Sequence, residues 1–588
     1  MRNRLRILTL LSVVGLVAAC GAGASPTPAP ASQAPATQAP ATQAPATEAP
    51  GPETYPRNET IYTTGKQWGP PSTWNPLDPN AAMGVVGLQY ETLFLYDPLA
   101  DTFKPWLAES ASWTDATTYT IKVRSGVTWS DGQPFTAEDV AFTIGLAKVK
   151  AVGSNIWDYV TDATATDDST VVVKFDNPAY QEWATWTYNS PIVPKHIWES
   201  KANEQILDEK NANGVGSGPY MYKTAAQDRM VWVRNDSWWA KAALGLEAKP
   251  KYIVDIVNGA NNVALGLLMQ GGIDLSNNFL PGVATLVNNG YVATYYKSAP
   301  YMLSANTAWL VTNDKKAPLD DKEFRKAVAY SVNVPDIVNK VYGNIVKAAD
   351  PTGLLPNWDK YIDTAQRDAL GFTYDPAKAK ALLDAAGYKK GSDGFYTNKD
   401  GSAIKLTIMV PTGWSDWEAG RDVIIASLKA VGINAEARIV DYGGLVAARN
   451  AGDFDLCLNN EVQVSNTPWT YYDYMFRMPL MEGASKNRNY GSYENAEAWA
   501  LVQQLDKTPV DDVAAMKEIT SKLQKISLTD MPVIPLWYNG MWSQVSNVVW
   551  TNWPSDEGKH ILPSTWNGYW QMGAVLMLTE ITLVPPAQ

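Results

Sequence analysis

Tryptophan side chains lie next to amide and carboxylate side chains at four places in this 588-residue sequence. Indole rings bind the flat C–H faces of sugars, and Asn, Gln, Asp and Glu bind sugar hydroxyls, so such clusters are typical of oligosaccharide sites. Asn306 is a further polar candidate. The predicted ligand-binding residues are Gln67, Trp68, Trp74, Asn306, Trp414, Trp417, Glu461, Gln463, Trp469, Tyr538 and Trp542.

Packing is the alternative role for each of these indoles. The chain has 24 Trp and 11 Phe, whereas a core that needs only apolar volume would use Phe at least as often. The tryptophans outside the four clusters are interpreted as core or interface residues: Trp106, Trp113, Trp129, Trp183, Trp186, Trp238 and Trp239.

Histidine and cysteine are too scarce for several chemistries. The sequence has two histidines, His196 and His560, and neither lies in a recognisable catalytic motif. Only Cys457 lies beyond the N-terminal region, which excludes a structural disulfide and a Cys-rich zinc site. No metal and no cofactor is predicted. A secreted glycoside hydrolase stays open as a distant alternative. Such an enzyme needs two carboxylates roughly 5–9.5 Å apart, and a sequence does not give that distance.

The charge of the chain disfavours nucleic acid as a partner. The formal net charge is −12, and no basic stripe that could neutralise phosphates is visible.

The first 20 residues are predicted to be an export signal. Arg2, Arg4 and Arg6 precede an apolar run from Ile7 to Ala19, which is too short to span a bilayer. The sequence around Cys20 resembles the bacterial lipoprotein box, so Cys20 is the predicted lipidation site. An unmodified signal peptide with an incidental cysteine is the alternative.

Residues 21–53 are predicted to be a disordered linker. They consist almost entirely of Ala, Pro, Thr, Gln, Gly and Ser, and the unit Gln-Ala-Pro-Ala-Thr begins at Gln33, Gln38 and Gln43. Such a segment cannot bury enough apolar surface to offset its ordering entropy. We expect a lipid-anchored, extracytoplasmic protein, in the periplasm or on the outer face of the cytoplasmic membrane.

Strands and helices are interspersed along the rest of the chain, so the class is mixed α and β. Residues 118–123 alternate like a half-buried strand, and the capping box at 136–139 opens a helix. A second capping box at 320–323 precedes a helix with Phe324 on its apolar face. Asp375-Pro376 opens a helix that ends at Gly387.

The stretch from Tyr119 to Phe142, YTIKVRSGVTWSDGQPFTAEDVAF, resembles the signature of the family 5 bacterial extracellular solute-binding proteins. This family contains receptors of ABC importers for oligopeptides, dipeptides, nickel and some oligosaccharides. Further matches follow in the family's order and span nearly all of the chain from about residue 60: 216–220, 324–333, 374–388, 432–433, 453–455 and 532–536.

The resemblance implies an α/β, type II periplasmic-binding-protein fold, in which two lobes close on a hinge over a ligand. An extra subdomain is inserted in the first lobe. By analogy, lobe one takes residues 54–92, 212–300 and 537–588, the inserted subdomain takes 93–211, and lobe two takes 301–536. A monomer that works with ABC permease subunits, and that is not an enzyme, is expected.

The resemblance also bears on the ligand. Peptide-binding members usually carry an Asp-Pro pair whose Asp binds the peptide ammonium, but here Thr467 precedes Pro468, with Glu461 as a conceivable substitute. Nickel is disfavoured by the two histidines. The region around Trp542 and Trp553 is similar to that of cello-oligosaccharide-binding members. A short β-linked oligosaccharide, of cello- or manno-type, is therefore predicted, with a dipeptide or oligopeptide as the alternative.

Overall fold

The structure is a computed structural model, and it describes residues 54–64, 68–78, 80–148, 156–481, 488–557, 561–564, 573 and 575–585. The predicted signal segment with Cys20, the linker 21–53, Gln67 and His560 lie outside the described residues.

Twenty-two strands are described. In chain order they are β1 Thr60–Thr64, β2 Phe94–Asp97, β3 Thr102–Pro105, β4 Ala108–Asp115, β5 Thr118–Val123, β6 Val160–Asp167, β7 Thr170–Phe175, β8 Tyr220–Ala226, β9 Arg229–Arg234, β10 Tyr252–Ile256, β11 Leu275–Ser276, β12 Ser304–Thr312, β13 Lys347–Ala348, β14 Lys389–Lys390, β15 Tyr396–Thr397, β16 Leu406–Pro411, β17 Ala435–Val440, β18 Leu456–Asn459, β19 Val533–Gly540, β20 Gln544–Val545, β21 Trp550–Thr551 and β22 Thr582–Leu583.

The described α-helices are α1 Ala137–Leu146, α2 Tyr180–Asn189, α3 Lys195–Trp198, α4 Trp239–Leu244, α5 Asn261–Met269, α6 Val283–Asn288, α7 Lys322–Ser331, α8 Val334–Asp336, α9 Thr364–Leu370, α10 Pro376–Ala385, α11 Ser415–Val431, α12 Tyr442–Asn450, α13 Trp469–Phe476, α14 Ala496–Asp506, α15 Val513–Asp530 and α16 Met577–Glu580. Short 3₁₀ turns span Arg57–Glu59, Ile156–Asp158, Asn203–Gln205 and Pro356–Tyr361, and π turns span Val85–Gln89 and Ile337–Val341. Within the described ranges no helix combines the length and the apolar character that crossing a membrane requires.

Sheet A has six strands in the order β20-β11-β1-β10-β9-β8. Its centre is parallel, since β1 pairs in parallel with both β10 and β11. All of its strands come from residues predicted for lobe one.

Sheet B also has six strands, in the order β13-β19-β12-β18-β16-β17. Strand β16 is parallel to β17 and β18, while β12 is antiparallel to β18 and β19. Its strands come from residues predicted for lobe two, except that β19 crosses the predicted boundary at residue 537.

Sheet C has four antiparallel strands in the order β4-β5-β7-β6, all within the predicted inserted subdomain. Beside this subdomain, the fully buried carboxylate of Glu91 accepts hydrogen bonds from three indole N–H groups. The donors are Trp106 at 3.0 Å, Trp238 at 3.0 Å and Trp239 at 2.7 Å. Burial raises the pKa of Glu91 to about 7 because the charged form loses its hydration.

The predicted local elements are confirmed. Strand β5 has the predicted bounds, and the Thr136 N–H donates to Asp139 Oδ2 at 2.9 Å at the start of α1. One detail of the second capping box is wrong: Asp321, not Asp320, caps α7, because its carboxylate accepts the Glu323 N–H at 2.9 Å. Asp375 caps α10, and Gly387 follows that helix with a φ of +88°.

Candidate functional site

A cavity of about 220 Å³ lies between one edge of sheet A and one edge of sheet B. It is lined by Trp68, Asn261, Asn277, Asn278, Phe279, Ala305, Asn306, Trp414, Asp416, Trp417, Tyr442, Asn460, Glu461, Gln463, Asn539, Gly540, Met541 and Trp542.

Parallel strands position much of this wall. On sheet A, Trp68 follows β1, Asn261 follows β10, and residues 277–279 follow β11. On sheet B, residues 414–417 follow β16, and residues 460–463 follow β18. The carboxyl ends of parallel strands meet at one edge of a sheet, where ligands of open α/β sheets bind.

Aromatic rings from both sheets form one side of the cavity. Trp68 lies against Trp414 with ring centroids 5.1 Å apart, and Trp414 stacks on Tyr442 at 5.9 Å with 19° between the ring planes. Trp417 meets Trp414 edge-on at 5.2 Å. The side chains of Trp68 and Trp414 are half-buried, so part of each indole is available to a ligand.

A second aromatic group surrounds Trp542. Its ring lies 5.3 Å from that of Phe279 and stacks at 6.1 Å on Tyr342, with 11° between the planes. The Asn277 amide donates to the Trp542 carbonyl at 2.5 Å, which ties sheet A to the segment after β19.

Amide side chains on or after strands of sheet B form one polar part of the wall. Asn306 on β12 lies directly opposite Asn539 on β19, and the Asn306 amide donates to Gln463 Oε1 at 3.1 Å. The side-chain oxygens of Asn306 and Asn539 are buried and have no hydrogen-bond partner among the described residues. Both residues line the cavity, so a ligand hydroxyl or N–H that enters it can donate to these acceptors.

Asp416 is the more deeply buried of the two carboxylates on the wall. Its Oδ1 accepts from the Asn261 amide at 3.0 Å, and its Oδ2 accepts from the Tyr342 hydroxyl at 3.0 Å. Burial raises the pKa of Asp416 to about 6, which is still below neutral pH. The donors described above, Asn261 and Tyr342, are both neutral.

Glu461, the second carboxylate, is held by a buried arginine. Arg449 Nη1 lies 2.5 Å from Glu461 Oε1, and the Tyr490 hydroxyl donates to Glu461 Oε2. The Arg449 guanidinium also lies 3.8 Å from the centroid of the Tyr490 ring. Among the described lining residues of the cavity there is no lysine, arginine or histidine.

The two sheets also touch through backbone at the edge of the cavity. The Asn261 N–H donates to the Gly413 carbonyl at 3.1 Å. Gly413 has a φ of +89°, and a Cβ there would lie 2.3 Å from the Gly259 carbonyl oxygen. Only glycine permits this approach without displacing one of the segments.

A larger cavity of about 580 Å³ lies between α2 and α14 and shares no residue with the first. Charged side chains line much of it, among them Glu182, Arg477, Arg488 and Asp506. The Asp506 carboxylate accepts the N–H groups of Gln181 and Glu182 at the start of α2, at 3.1 and 2.8 Å. We take the smaller cavity as the candidate site because it lies where the strands of both sheets end.

Within the described part of the chain, no group of three or more His, Cys, Asp or Glu could hold a metal ion.

Residues 102–479 match the family model "Bacterial extracellular solute-binding proteins, family 5 Middle". The chain belongs to this family. Its fold is the predicted two-lobe periplasmic-binding-protein fold of mixed α/β class. The residue boundaries of its lobes stay a prediction.

Two relatives of known structure are similar to this family 5 chain. The mannohexaose-bound crystal structure of a periplasmic oligopeptide-binding protein from Thermotoga maritima is 44% identical, covers 90% of this chain and 99% of its own, and has a TM-score of 0.86. The oligopeptide-binding protein AppA of Bacillus subtilis is 26% identical over 492 residues, 80% of this chain and 84% of its own. AppA in complex with a nonapeptide matches in fold, with a TM-score of 0.72, 21% identity and coverage of 90% and 99%.

Seven of the predicted site residues of this family 5 protein line the smaller cavity. They are Trp68, Asn306, Trp414, Trp417, Glu461, Gln463 and Trp542. The fold therefore brings distant segments of the chain together at one cavity. That these residues contact a ligand stays a prediction.

Three predicted residues lie elsewhere. Trp74 packs on Tyr222 with ring centroids 4.3 Å apart. Trp469 is 3% exposed in a hydrophobic core and borders the larger cavity. The Tyr538 hydroxyl donates to the Leu354 carbonyl at 2.7 Å, on the opposite face of β19 from Asn539. Proximity to polar residues in the sequence, on which their prediction rests, does not indicate the direction of a side chain.

Several lining residues were missed by the sequence analysis. They are Asn261, Asn277, Asn278, Phe279 and Tyr442. Asp416 and Asn539 belong to two of the predicted clusters but are not among the predicted ligand-binding residues. The run Asn277-Asn278-Phe279 directly after a short strand was a usable signal, because polar side chains at the carboxyl end of a parallel strand commonly face a ligand.

Proposed function

We propose that this chain captures a short, neutral oligosaccharide of β-linked cello- or manno-type between its two lobes and presents it to the permease of an ABC importer. The observation that carries the proposal is the chemistry of the cavity wall. Indoles and amides together make up most of the wall, and both wall carboxylates already accept hydrogen bonds from the chain. Such a wall suits apolar C–H faces and neutral hydroxyls.

The state of Glu461 argues against a peptide ammonium as the anchored group. The sequence left Glu461 as a substitute for the family's ammonium-binding Asp, but Arg449 and Tyr490 occupy both of its oxygens. An ammonium left unpaired at this position would lose its hydration without a compensating charge, which costs several kcal/mol. The mannohexaose bound to the Thermotoga maritima protein supports a sugar, since that chain is 44% identical to this one.

Peptide binding is the second candidate, and Asp416 is the observation that favours it. Its carboxylate lines the cavity and has no basic partner among the contacts described for it. An incoming ammonium could replace Asn261 as its partner. The relatives that carry oligopeptide-binding names are consistent with this alternative.

Ligand titration separates the two candidates. Intrinsic tryptophan fluorescence and calorimetry of the whole chain would be followed with manno- and cello-oligosaccharides and with di- to pentapeptides. Saturable binding of a sugar without peptide binding supports the proposal, and saturable binding of peptides without sugar binding overturns it. Asp416→Asn would abolish binding of a peptide held by its ammonium and would leave sugar binding within severalfold.

A hydrolase would be detected in the same samples. The proposal requires that the oligosaccharide is recovered intact after long incubation, whereas shortened products in chromatography would assign an enzyme with paired carboxylates.

The N-terminal sequence supports a proposal for the location of the protein. We propose that residues 1–20 direct export, that Cys20 is lipidated, and that residues 21–53 tether a monomeric receptor outside the cytoplasmic membrane. Labelling with a radioactive fatty acid would mark the wild-type protein and not Cys20→Ser. Equal labelling of both proteins would refute lipidation at Cys20.

A further inference from the structure

Arg449 lies behind the cavity wall, where it contacts the wall residue Glu461. Its side chain is 5% exposed and does not line the cavity, while the Glu461 side chain in front of it is 30% exposed and does. The two groups are linked by a 2.5 Å ion pair.

Tyr490 fixes this pair from the other side. Its hydroxyl donates to Glu461 Oε2, and its ring lies under the Arg449 guanidinium at 3.8 Å. Burial raises the pKa of Tyr490 and the adjacent Glu461 raises it further, so the hydroxyl stays protonated and remains a donor. Both oxygens of Glu461 are thereby occupied by the chain.

We infer that Arg449 determines the charge class of the ligand group bound beside Glu461: by pairing with Glu461 it removes a free anion from this part of the cavity wall, so that this part accepts neutral groups and rejects cations. The inference rests on the proposed function insofar as it places the ligand in this cavity. Beyond the proposed function, it assigns selection against cations beside Glu461 to Arg449, a residue that does not line the cavity.

The physical reason is the balance between pairing and desolvation. A partly buried carboxylate without its partner is unfavourable, and a ligand cation that supplies the missing charge gains part of the energy that Arg449 supplies in the natural protein. Replacement of Arg449 by an uncharged side chain of similar length therefore creates a cation subsite.

The test compares ligands that carry ammonium groups with the same ligands after N-acetylation of those groups. One pair is a glucosamine hexamer and its N-acetylated form; the other is a tetrapeptide and its N-acetylated form. In Arg449→Met the ratio of affinities, cationic over neutral, is expected to rise by about tenfold relative to the wild type. The double variant Arg449→Met with Glu461→Gln removes both charges, and its ratio is expected to return to the wild-type value.

A ratio that stays within about twofold of the wild type in Arg449→Met, or one that stays raised in the double variant, overturns the inference.

If Arg449→Met does not fold, Glu461→Gln alone gives the answer. That variant leaves the Arg449 charge uncompensated, so cationic ligands are expected to bind more weakly and an oligouronate more tightly; no change in either direction refutes the role of Arg449. If the wild type binds the peptide pair and no sugar, the proposed function fails, and the role of Arg449 is decided on the peptide pair.

Discussion

The indole of Trp68 packs against the indole of Trp414 with ring centroids 5.1 Å apart and 41° between the ring planes. The two residues are 346 positions apart in the sequence and follow strands of different sheets. Together with the backbone hydrogen bond from Asn261 to Gly413, the pair joins the two lobes beside the cavity. An aromatic contact of this kind contributes about 0.5–1.5 kcal/mol beyond its area burial.

Trp414→Ala is expected to weaken ligand binding by about tenfold with a small change in melting temperature. The side chain is half-buried on the cavity wall, so its removal takes away a ligand platform and opens little space in the core. Fluorescence or calorimetric titration of the variant measures the affinity, and thermal unfolding measures the stability. Unchanged affinity would contradict the assignment of this wall as the site.

Trp469→Ala is the matched tryptophan variant, and the opposite result is expected. Trp469 is 3% exposed in a core, and replacement of such a side chain by Ala typically costs about 3–5 kcal/mol of unfolding free energy. Ligand affinity of the folded fraction should stay near that of the wild type. A large loss of affinity with unchanged stability would return Trp469 to the ligand-binding residues.

Gly413→Ala is expected to reduce ligand affinity by separating the lobes at the edge of the cavity. The new Cβ would lie 2.3 Å from the Gly259 carbonyl oxygen, so the closed arrangement becomes less populated and the apparent affinity falls with it. Gly401→Ala is the control, because Gly401 has nearly the same φ, +88°, and its Cβ would meet nothing within 4 Å. Equal affinities in the two variants would contradict a role of the close approach at Gly413 in ligand binding.

Glu91 is expected to make the protein less stable as the pH rises from about 4.5 to about 7. The pKa of Glu91 is raised to about 7 in the folded protein, so between these values the folded state holds a proton that the unfolded state has released. The free energy of unfolding then falls by up to about 1.4 kcal/mol per pH unit from this group.

Chemical denaturation at pH 5 and pH 7.5 measures that slope. Asp314 and Asp416 have pKa values raised to about 7 and about 6 and contribute in the same direction, so part of the slope remains in any single variant. Glu91→Gln, which cannot titrate, should show a smaller fall in stability than the wild type over this interval. Identical slopes would mean that Glu91 does not hold a proton in the folded state.

The sequence alone determined the features that depend on local or linear patterns. The caps of α1 and α10 and the alternation of β5 are local, because a side chain bonds its own backbone within a few residues. The ordered motifs identified the family, and the family implied the two-lobe fold. Seven of the eleven proposed ligand residues line one cavity because clusters of Trp and amides follow the strands of both sheets.

The tertiary structure decided what each side chain faces and which charges are already paired. In the sequence, Trp469 and Tyr538 are aromatic residues near polar ones, just as Trp414 and Trp542 are. In the structure, Trp469 and Tyr538 are buried in a core, whereas Trp414 and Trp542 line the cavity. The direction of each side chain depends on the packing of distant elements. Trp106, Trp238 and Trp239 were interpreted as packing, and the structure gives them a common acceptor in Glu91. The pairing of Glu461 with Arg449 is likewise a tertiary property: the same carboxylate could bind a ligand ammonium if the turn after β18 held it away from α12.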